Sequence, residues 1–386
     1  MAGSLYRPIT EEILGLRLKG MKLKFLITFI LLTSNASFAA LDFEDHAFPE
    51  LVTSARALAM GNAFINRVDD SWSAFYNPAG LGTVRRPTFH LANIHLESSS
   101  KLLSAMSSGP AYQIPKNYID SYDPEEMRSL LVKNQGELMH SRVNLFPNLT
   151  VRGLTLGYMF SQRNRSIIND DAANEFEIAE RRDHGPVMAL NASFFGGVFK
   201  VGASAVYLMR RDLYKTFGPT ENINISDSDY RGGNSVQVTA GARLTLPYDY
   251  LPTFSAVLRN ATDSKFTKGD DYDLEPEKIK QTVDVGVSIT PQIGQATRLH
   301  LELNLKDLNN SYDTDAKRRL AAGMELDIAR KLFLRAGYGD GWGSGGIGVK
   351  LRRMTLDLTT YAIDRSLDGF REKEDRRWVL SFASGF

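Results

Sequence analysis

Apolar and polar residues alternate along most of the chain after residue 87, with the period of two that is typical of β-strands. In 297–306, Leu299, Leu301, Leu303 and Leu305 share one face, and the residues between them are polar or charged. The pattern recurs in about fourteen segments of about ten residues, the length that a strand needs to cross a bilayer. They are 87–96, 141–151, 153–162, 185–195, 198–210, 234–246, 252–262, 280–290, 297–306, 317–328, 331–339, 343–351, 353–363 and 375–386.

The connections between these segments alternate in length. Short ones lie at 152–153, 196–197, 247–251, 291–296, 329–330 and 352–353; long ones lie at 97–140, 163–184, 211–233, 263–279, 307–316 and 364–374, and only 340–342 breaks the order. A soluble sandwich also alternates, but its loops need not sort in this way. Short periplasmic turns and long external loops are typical of outer-membrane β-barrels. We therefore predict an all-β fold, a transmembrane antiparallel barrel of about 14 strands in the bacterial outer membrane.

An even number of strands places both termini of this barrel in the periplasm. The last segment has Trp378, Leu380, Phe382 and Phe386 on one face, and this aromatic end resembles the signal that the barrel-assembly machinery recognises. Lipid and lipopolysaccharide of the outer membrane are then expected partners of the outer face. The inner face has both signs of charge, which favours a filled lumen: Arg142, Lys200, Arg243, Asp284, Glu302, Glu325, Asp327, Arg335, Lys350, Asp357 and Arg377.

The start of the chain is predicted to be an export signal over 1–39. Lys22 and Lys24 precede a short apolar run, and Ser37-Phe38-Ala39 fits a cleavage site, so we expect the mature chain to begin at Ala40. Residues 1–20 precede a second plausible start codon and are left out of fold reasoning.

Residues 40–86 do not alternate and are predicted to form a small helical domain. Ser54 can cap a helix over 55–60 that Gly61 ends, and Asp69-Asp70-Ser71 can cap a second turn. About 45 residues cannot bury such a surface alone. We therefore expect this segment to lie inside the lumen of the barrel formed by 87–386, as a hatch.

Residues 55–82, ARALAMGNAFINRVDDSWSAFYNPAGLG, resemble the N-terminal hatch of the FadL family of outer-membrane transporters for hydrophobic compounds. They also resemble PorV-type barrels, which are components of protein secretion systems. The FadL resemblance implies a blocked barrel that passes long-chain fatty acids or other hydrophobic small molecules, often with lateral exit. Asn77, Pro78 and Ala79 match the family's Asn-Pro-Ala motif and would share its gating role. The alternative is a PorV-like scaffold or carrier with a secretion-system protein as its partner.

The longest loop, 97–140, contains a predicted helix that Asp123 caps and Pro124 begins. An apolar face in this loop could form a groove that collects a hydrophobic ligand, and flexible Met side chains suit varied shapes. The same face could instead seal the loop onto the barrel rim. The candidate ligand-binding residues are Leu102, Met106, Met127, Leu130 and Leu131.

Composition removes several classes of chemistry. The 386 residues include no Cys and have a net charge of +1, so neither a disulfide, a thiol nucleophile nor a nucleic-acid partner is expected. The G-x-G-x-x-G match at 341–346 lies between strands and predicts a hairpin rather than a dinucleotide site. His90 and His95 are expected on opposite faces of one strand, so no metal or other cofactor is expected.

Asp183-His184 is the one candidate pair for an outer-membrane lipase or protease. It lies just before a predicted strand, and a catalytic base also needs a nucleophile and an orienting group. A solvated loop pair is the simpler interpretation, and we expect that the protein is not an enzyme.

Overall fold

The computed structural model describes residues 41, 51–108, 110–170, 173–366 and 369–385. The predicted export signal, the predicted cleavage site and Phe386 lie outside the described residues. Within the described ranges, no helix is both long and apolar enough to cross a membrane.

Fourteen antiparallel strands close into a barrel, as the sequence predicts. They are β1 Thr88–Ser99, β2 in two segments (Met139–Leu145 and Asn148–Val151), β3 Leu154–Ile168, β4 Phe176–Phe194, β5 Phe199–Phe217, β6 Arg231–Thr245, β7 Thr253–Arg259, β8 Thr282–Ile289, β9 Thr297–Leu305, β10 Leu320–Ile328, β11 Leu332–Gly339, β12 Trp342–Lys350, β13 Met354–Asp364 and β14 Glu374–Gly385. Each strand pairs with the next, and β14 pairs with β1 through contacts such as Leu96 with Leu380. A two-residue ladder, Thr267–Lys268, adds to β6.

The outer face of the wall is an apolar belt, because every second residue of each strand points outward. Its members are at least 39% exposed and include Leu156, Met188, Leu190, Val236, Phe254, Val287, Leu303, Met324, Leu334, Ile347, Leu356 and Leu380. Exposed aromatic residues border the belt on both sides. Tyr158, Tyr207, Tyr338 and Trp378 lie toward the long loops, and Phe89, Phe194, Tyr248 and Tyr250 lie toward the short turns. Two aromatic girdles around an apolar band are the pattern of a membrane-spanning barrel.

Two of the predicted long loops are much shorter than expected. Strands β3 to β6 continue beyond the predicted ends, so that the connections are only 169–175 and 218–230. Apolar and polar residues still alternate in the extended parts of these strands, but the outward apolar residues are covered by protein rather than by lipid. This side of the wall therefore rises above the belt.

Two local predictions about β1 and β2 are wrong. The predicted strand 141–151 is interrupted at Phe146-Pro147, because proline has no N–H for the ladder. His90 and His95 do not face opposite sides, because an irregularity between His90 and Ala92 changes the register. Phe89 and Leu91 are exposed, whereas His90 packs toward Asn148 and His95 is fully buried.

Among the described residues, six short helices lie outside the wall strands. They are α1 Ala55–Ala59, α2 Ser73–Tyr76, α3 Ser100–Met106, α4 Ile114–Asp120, α5 Pro124–Leu131 and α6 Ala316–Arg319; 3₁₀ turns cover Pro78–Thr83, Ala111–Gln113, Phe195–Gly197 and Asp227–Asp229. The Asp123 carboxylate caps α5 by accepting from the backbone N–H groups of Glu125 (2.9 Å) and Glu126 (3.2 Å), as its sequence predicts. Ser54 precedes α1, but its side chain makes no capping bond.

Residues 51–84 lie inside the lumen, and we call this segment the plug. Helix α1 packs on strands β11 to β13, and the 3₁₀ turn Pro78–Thr83 packs on β4 to β6. These are opposite sides of the barrel, so the plug crosses the bore from wall to wall. Leu41 lies at the long-loop end, where its backbone N–H donates to Glu177 (3.2 Å).

Glycines on the inner wall let the plug backbone approach the strands. A Cβ at Gly337 would lie 2.1 Å from the carbonyl carbon of Met60, and one at Gly346 would lie 2.8 Å from the Cβ of Ala59. The same crowding occurs where the plug meets Gly202, Gly241, Gly286 and Gly323. The close approach of the plug therefore explains why these strand positions are glycine.

We predict that Gly337→Ala weakens plug seating, because the added methyl overlaps the Met60 backbone; overpacking of this kind costs about 1–3 kcal/mol. The matched control is Gly345→Ala, which points outward and has its nearest neighbour, the Arg335 carbonyl oxygen, at 3.5 Å. Samples are heated to a series of temperatures before SDS gel electrophoresis. The folded band should disappear at a lower temperature for Gly337→Ala than for the unmodified protein, and at an unchanged temperature for Gly345→Ala. Equal temperatures for both variants would contradict the contact.

Candidate functional site: the plug and its seat

A buried glutamate joins the plug to the wall. Glu325 of β10 accepts two bonds from Arg56, Nε to Oε2 (2.7 Å) and Nη2 to Oε1 (2.8 Å). It also accepts from Nε of Arg67 (3.0 Å) and Nε of Arg335 (2.8 Å). Arg56 and Arg67 belong to the plug, and Arg335 belongs to β11. One carboxylate therefore holds three guanidinium groups, two from the plug and one from the wall.

Three further carboxylates complete this ion cluster. Asp69 accepts from Arg56 (2.7 Å) and Arg67 (2.5 Å), Asp70 lies 3.3 Å from Arg56, and Asp357 of β13 accepts from Arg335 (2.5 Å). Burial opposes the ionisation of Asp69, but Arg67 and Arg56 outweigh it and hold its pKa below the usual range. A buried ion cluster is stable only when each charge has partners, and here both sides of the plug–wall contact supply them.

Other inward side chains of the wall bind the plug backbone. Arg243 Nη2 donates to the carbonyl oxygens of Ile65 (2.9 Å) and Val68 (3.1 Å), and Arg259 Nη1 donates to that of Phe75 (2.6 Å). Short helices leave many carbonyl groups without helical partners, and the wall satisfies them. The charged inner face thus serves a filled interior, as predicted; Lys350 differs, because it is exposed at the short-turn end.

The predicted gating triplet lies where the plug meets β5 and β6. Asn77 is fully buried; its Oδ1 accepts from the Ala79 N–H (3.0 Å), and its Nδ2 donates to the Ile65 carbonyl (2.9 Å). Pro78 begins the 3₁₀ turn. A Cβ at Gly241 would lie 2.1 Å from Asn77 Oδ1, so the side chain is pressed against the wall. The triplet fixes the shape of the plug, and its gating role stays a prediction.

An aromatic cluster that the sequence did not predict lies beside the interruption of β2. Phe146 turns inward and contacts Phe75 (ring centroids 5.0 Å apart) and Trp72 (5.9 Å) of the plug. The sequence signal was Pro147, which marks an interrupted strand. The wall is therefore irregular at the position where the plug is most apolar.

A cleft lies between the plug and strands β5 to β8. Leu51, Phe75, Val206 and Ile279 supply apolar surface, and polar groups come from Ser204, Gln237, Thr239, Arg259, Asn260, Lys280, Thr282 and Tyr312. Its cavity volume is about 40 Å³, and because each water needs roughly 10–15 Å³, it has room for a few waters. A long acyl chain does not fit in this state.

The candidate ligand-binding residues are brought together, but in a closed cluster. Leu102, Met106, Met127 and Leu131 are at most 1% exposed, and Leu130 packs at their edge. They contact outward-facing residues of the raised wall: Met139, Ile168, Phe176, Ile178 and Phe217. The long loop is thus sealed onto the outer face of the wall, which was the second interpretation of its apolar face. A ligand role for these residues stays a prediction.

The candidate catalytic pair is not assembled. Asp183 and His184 lie within β4 rather than in a loop, so their side chains point to opposite faces. Asp183 makes a two-bond ion pair with Arg210 (both 2.7 Å), while His184 Nδ1 lies 2.7 Å from the Tyr158 hydroxyl. The 341–346 segment is part of the β11–β12 hairpin, as predicted. Within the described residues, no group of three or more His, Asp or Glu side chains is placed to hold a metal ion.

Comparisons with known proteins identify the fold. No family model matches the chain, and no curated protein matches it. Among solved structures, a CymD monoaromatic hydrocarbon channel has a TM-score of 0.52 at 9% identity, covering 86% of this chain and 97% of that chain. CdiB from Acinetobacter baumannii has a TM-score of 0.32 at 9% identity, covering 78% and 60%. Outer membrane phospholipase A from Escherichia coli has 0.28 at 12%, covering 76% and 92%. The first likeness shows a shared outer-membrane barrel fold.

We predict that Glu325→Gln loosens the plug, because it removes the charge shared by three buried arginines; breaking such a pair costs about 3 kcal/mol or more. Amide hydrogen exchange across 55–68, followed by mass spectrometry, should become about 100-fold faster. The control is Glu374→Gln, which removes an exposed partner of Arg376 on the outer face and should change exchange little. Unchanged exchange in both variants would contradict the role of the cluster.

Proposed function

We propose that this protein is an outer-membrane channel for hydrophobic small molecules, closed by its plug. The observation that carries the proposal is a plug that crosses the bore of a lipid-embedded barrel and leaves a cleft of about 40 Å³ along one wall. The likeness of 55–82 to the FadL hatch supports it. So does the shared fold with a protein named as a hydrocarbon channel. Long-chain fatty acids and monoaromatic hydrocarbons are the substrate classes to test first.

The proposed route begins at the long-loop end and follows the cleft along β5 to β8. Leu51, Phe75 and Val206 offer apolar surface along it. The Trp72–Phe75–Phe146 cluster then leads to the interruption of β2, where a ligand could leave sideways into the bilayer. With the long loops outside, the short turns and both barrel termini face the periplasm.

Passage requires the plug to move, because the cleft of about 40 Å³ has room for only a few waters in this state. The C-terminal end of the plug continues into β1 and is tethered. The N-terminal half, with α1, is therefore the part that can leave its seat. The ion cluster at Glu325 holds this half. Opening would therefore break these ion pairs and hydrate the charged groups.

A reversible disulfide between the plug and the wall, which we call a staple, tests whether the plug moves. Ala59→Cys with Gly346→Cys places one cysteine in α1 and one on β12, where their Cβ atoms need to separate by about 1 Å to suit a disulfide. The chain has no other Cys, so this bond is the sole disulfide. We expect oxidation to abolish uptake of labelled oleate or labelled toluene by cells that depend on this protein, and reduction to restore it.

The control staple is Ala336→Cys with Gly345→Cys, a cross-strand pair on the outer face. It should leave uptake unchanged. Full uptake through the oxidised Ala59–Gly346 barrel would refute plug movement, and no uptake of either probe by the unmodified protein would refute the channel.

A PorV-like scaffold is the second candidate. Tyr112, Ile119 and Val132 of the long loop are 79%, 70% and 59% exposed, an apolar surface suited to a protein partner. A scaffold predicts a stoichiometric protein complex in native mass spectrometry that survives the Ala59–Gly346 staple. A channel instead predicts bound hydrophobic adducts, lost on Met127→Asp with Leu131→Asp if the long loop collects the ligand.

A further inference from the structure

The short-turn end of the barrel has a strongly basic surface. Its exposed charged residues are Arg85, Arg86, Arg152, Arg330, Lys331, Lys350, Arg352 and Arg353, and within the described turns and the segment entering β1 the exposed acidic residue is Asp249. The chain as a whole has a charge of only +1, so this excess is local. The overall composition gives no hint of it.

These charges occupy one side of the ring. They lie at four neighbouring junctions, namely the β10–β11 turn, the β12–β13 turn, the entry to β1 and the β2–β3 turn. We call the residues Arg86, Arg152, Arg330, Lys331 and Arg352 the basic arc. The opposite turns expose Phe195, Tyr248, Tyr250 and Ile293 instead. Within these described turns the one exposed charge is Asp249, so their aromatic side chains can enter the bilayer interface, whereas the basic arc needs anions.

The depth of the basic arc matches lipid head groups. Arg330 and Lys331 lie between Ile328 and Leu332, both of which face outward on adjacent strands. Arg352 is flanked by Leu351, which is 60% exposed. Because a strand rises about 3.3 Å per residue, each basic side chain begins within a few ångströms of the apolar belt. Long cationic side chains at this depth reach the phosphate layer.

No carboxylate of the described chain forms an ion pair with the basic arc, and Asp69 of the plug attracts Arg85, which lies next to the arc. Within the described ranges, Arg152, Arg330, Lys331 and Arg352 make no ion pair with any acidic side chain. Like charges instead stand near one another: partial burial and the nearby Arg330 and Arg298 lower the pKa of Arg85. Mutual repulsion of this kind is relieved by bound anions.

We infer that the basic arc binds the phosphate groups of anionic glycerophospholipids, of the phosphatidylglycerol kind, in the leaflet at the short-turn end. The arc is continuous with the lipid-facing belt and extends over four strand junctions, as a row of separate head groups would. An acidic protein docked below the barrel would not need basic residues at the edge of the belt. The inference does not depend on the channel function.

The test compares lipid binding by the folded barrel in native mass spectrometry, with phosphatidylglycerol and phosphatidylcholine of the same acyl chains as probes. We expect the unmodified protein to retain phosphatidylglycerol preferentially. The variant Arg152→Gln/Arg330→Gln/Lys331→Gln/Arg352→Gln should lose at least about tenfold in apparent affinity. All four residues are exposed in turns, so folding should be unaffected, which unheated SDS gels check.

The matched control removes four exposed lysines from the long-loop end: Lys101→Gln/Lys116→Gln/Lys133→Gln/Lys278→Gln. It should bind phosphatidylglycerol as the unmodified protein does. Equal loss in both quadruple variants, or equal retention of the two lipids by the unmodified protein, would overturn the inference. So would an acidic protein that binds the basic arc and that phosphatidylglycerol does not displace.

Discussion

The bore of a fourteen-stranded barrel is wider than side chains from its own wall can fill. Eight strands suffice for a packed interior, and sixteen or more leave an aqueous channel. This chain lies between these limits and fills the space with its own residues 51–84. The strand glycines, the inward arginines and the interior aromatic cluster all follow from that need. A wall without the plug would have buried charges and apolar groups with no partners.

The two halves of the plug are held to the wall by different kinds of contact. Arg56 and Arg67 bind Glu325 through charge, and such contacts are strong only while the cluster is complete and dry. The 3₁₀ half is held by neutral bonds from the wall to its backbone, such as Asn191 Nδ2 to the Ala79 carbonyl (3.2 Å), and by contact with wall glycines. Water entering the ion cluster weakens the first half steeply and the second half little. The contacts of the N-terminal half are therefore the more sensitive to hydration.

The outside of the barrel is equally uneven. On the long-loop side, α3 to α5 cover the raised strands β2 to β5 with an apolar contact surface. On the short-turn side, one half of the ring is basic and the other half aromatic. A barrel with these asymmetries does not present the same surface to the two leaflets. The position of the barrel in the membrane thus depends on the height of the apolar belt and also on the charge and depth of its end surfaces.

Local periodicity was enough to determine much of this protein. Alternation is a property of a single strand, so the sequence predicted fourteen strands, the lengths of most of their connections, and the inward direction of Glu325, Arg335 and Arg243. The tertiary structure alone decided which charges meet, because Arg56 and Glu325 are 269 positions apart and their contact depends on barrel closure. It also decided that the long loop folds over the outer wall, since an apolar face does not specify which surface covers it. The alternation did not predict the change of register at His90 or the inward turn at Phe146, because each is set by neighbouring strands and by the plug.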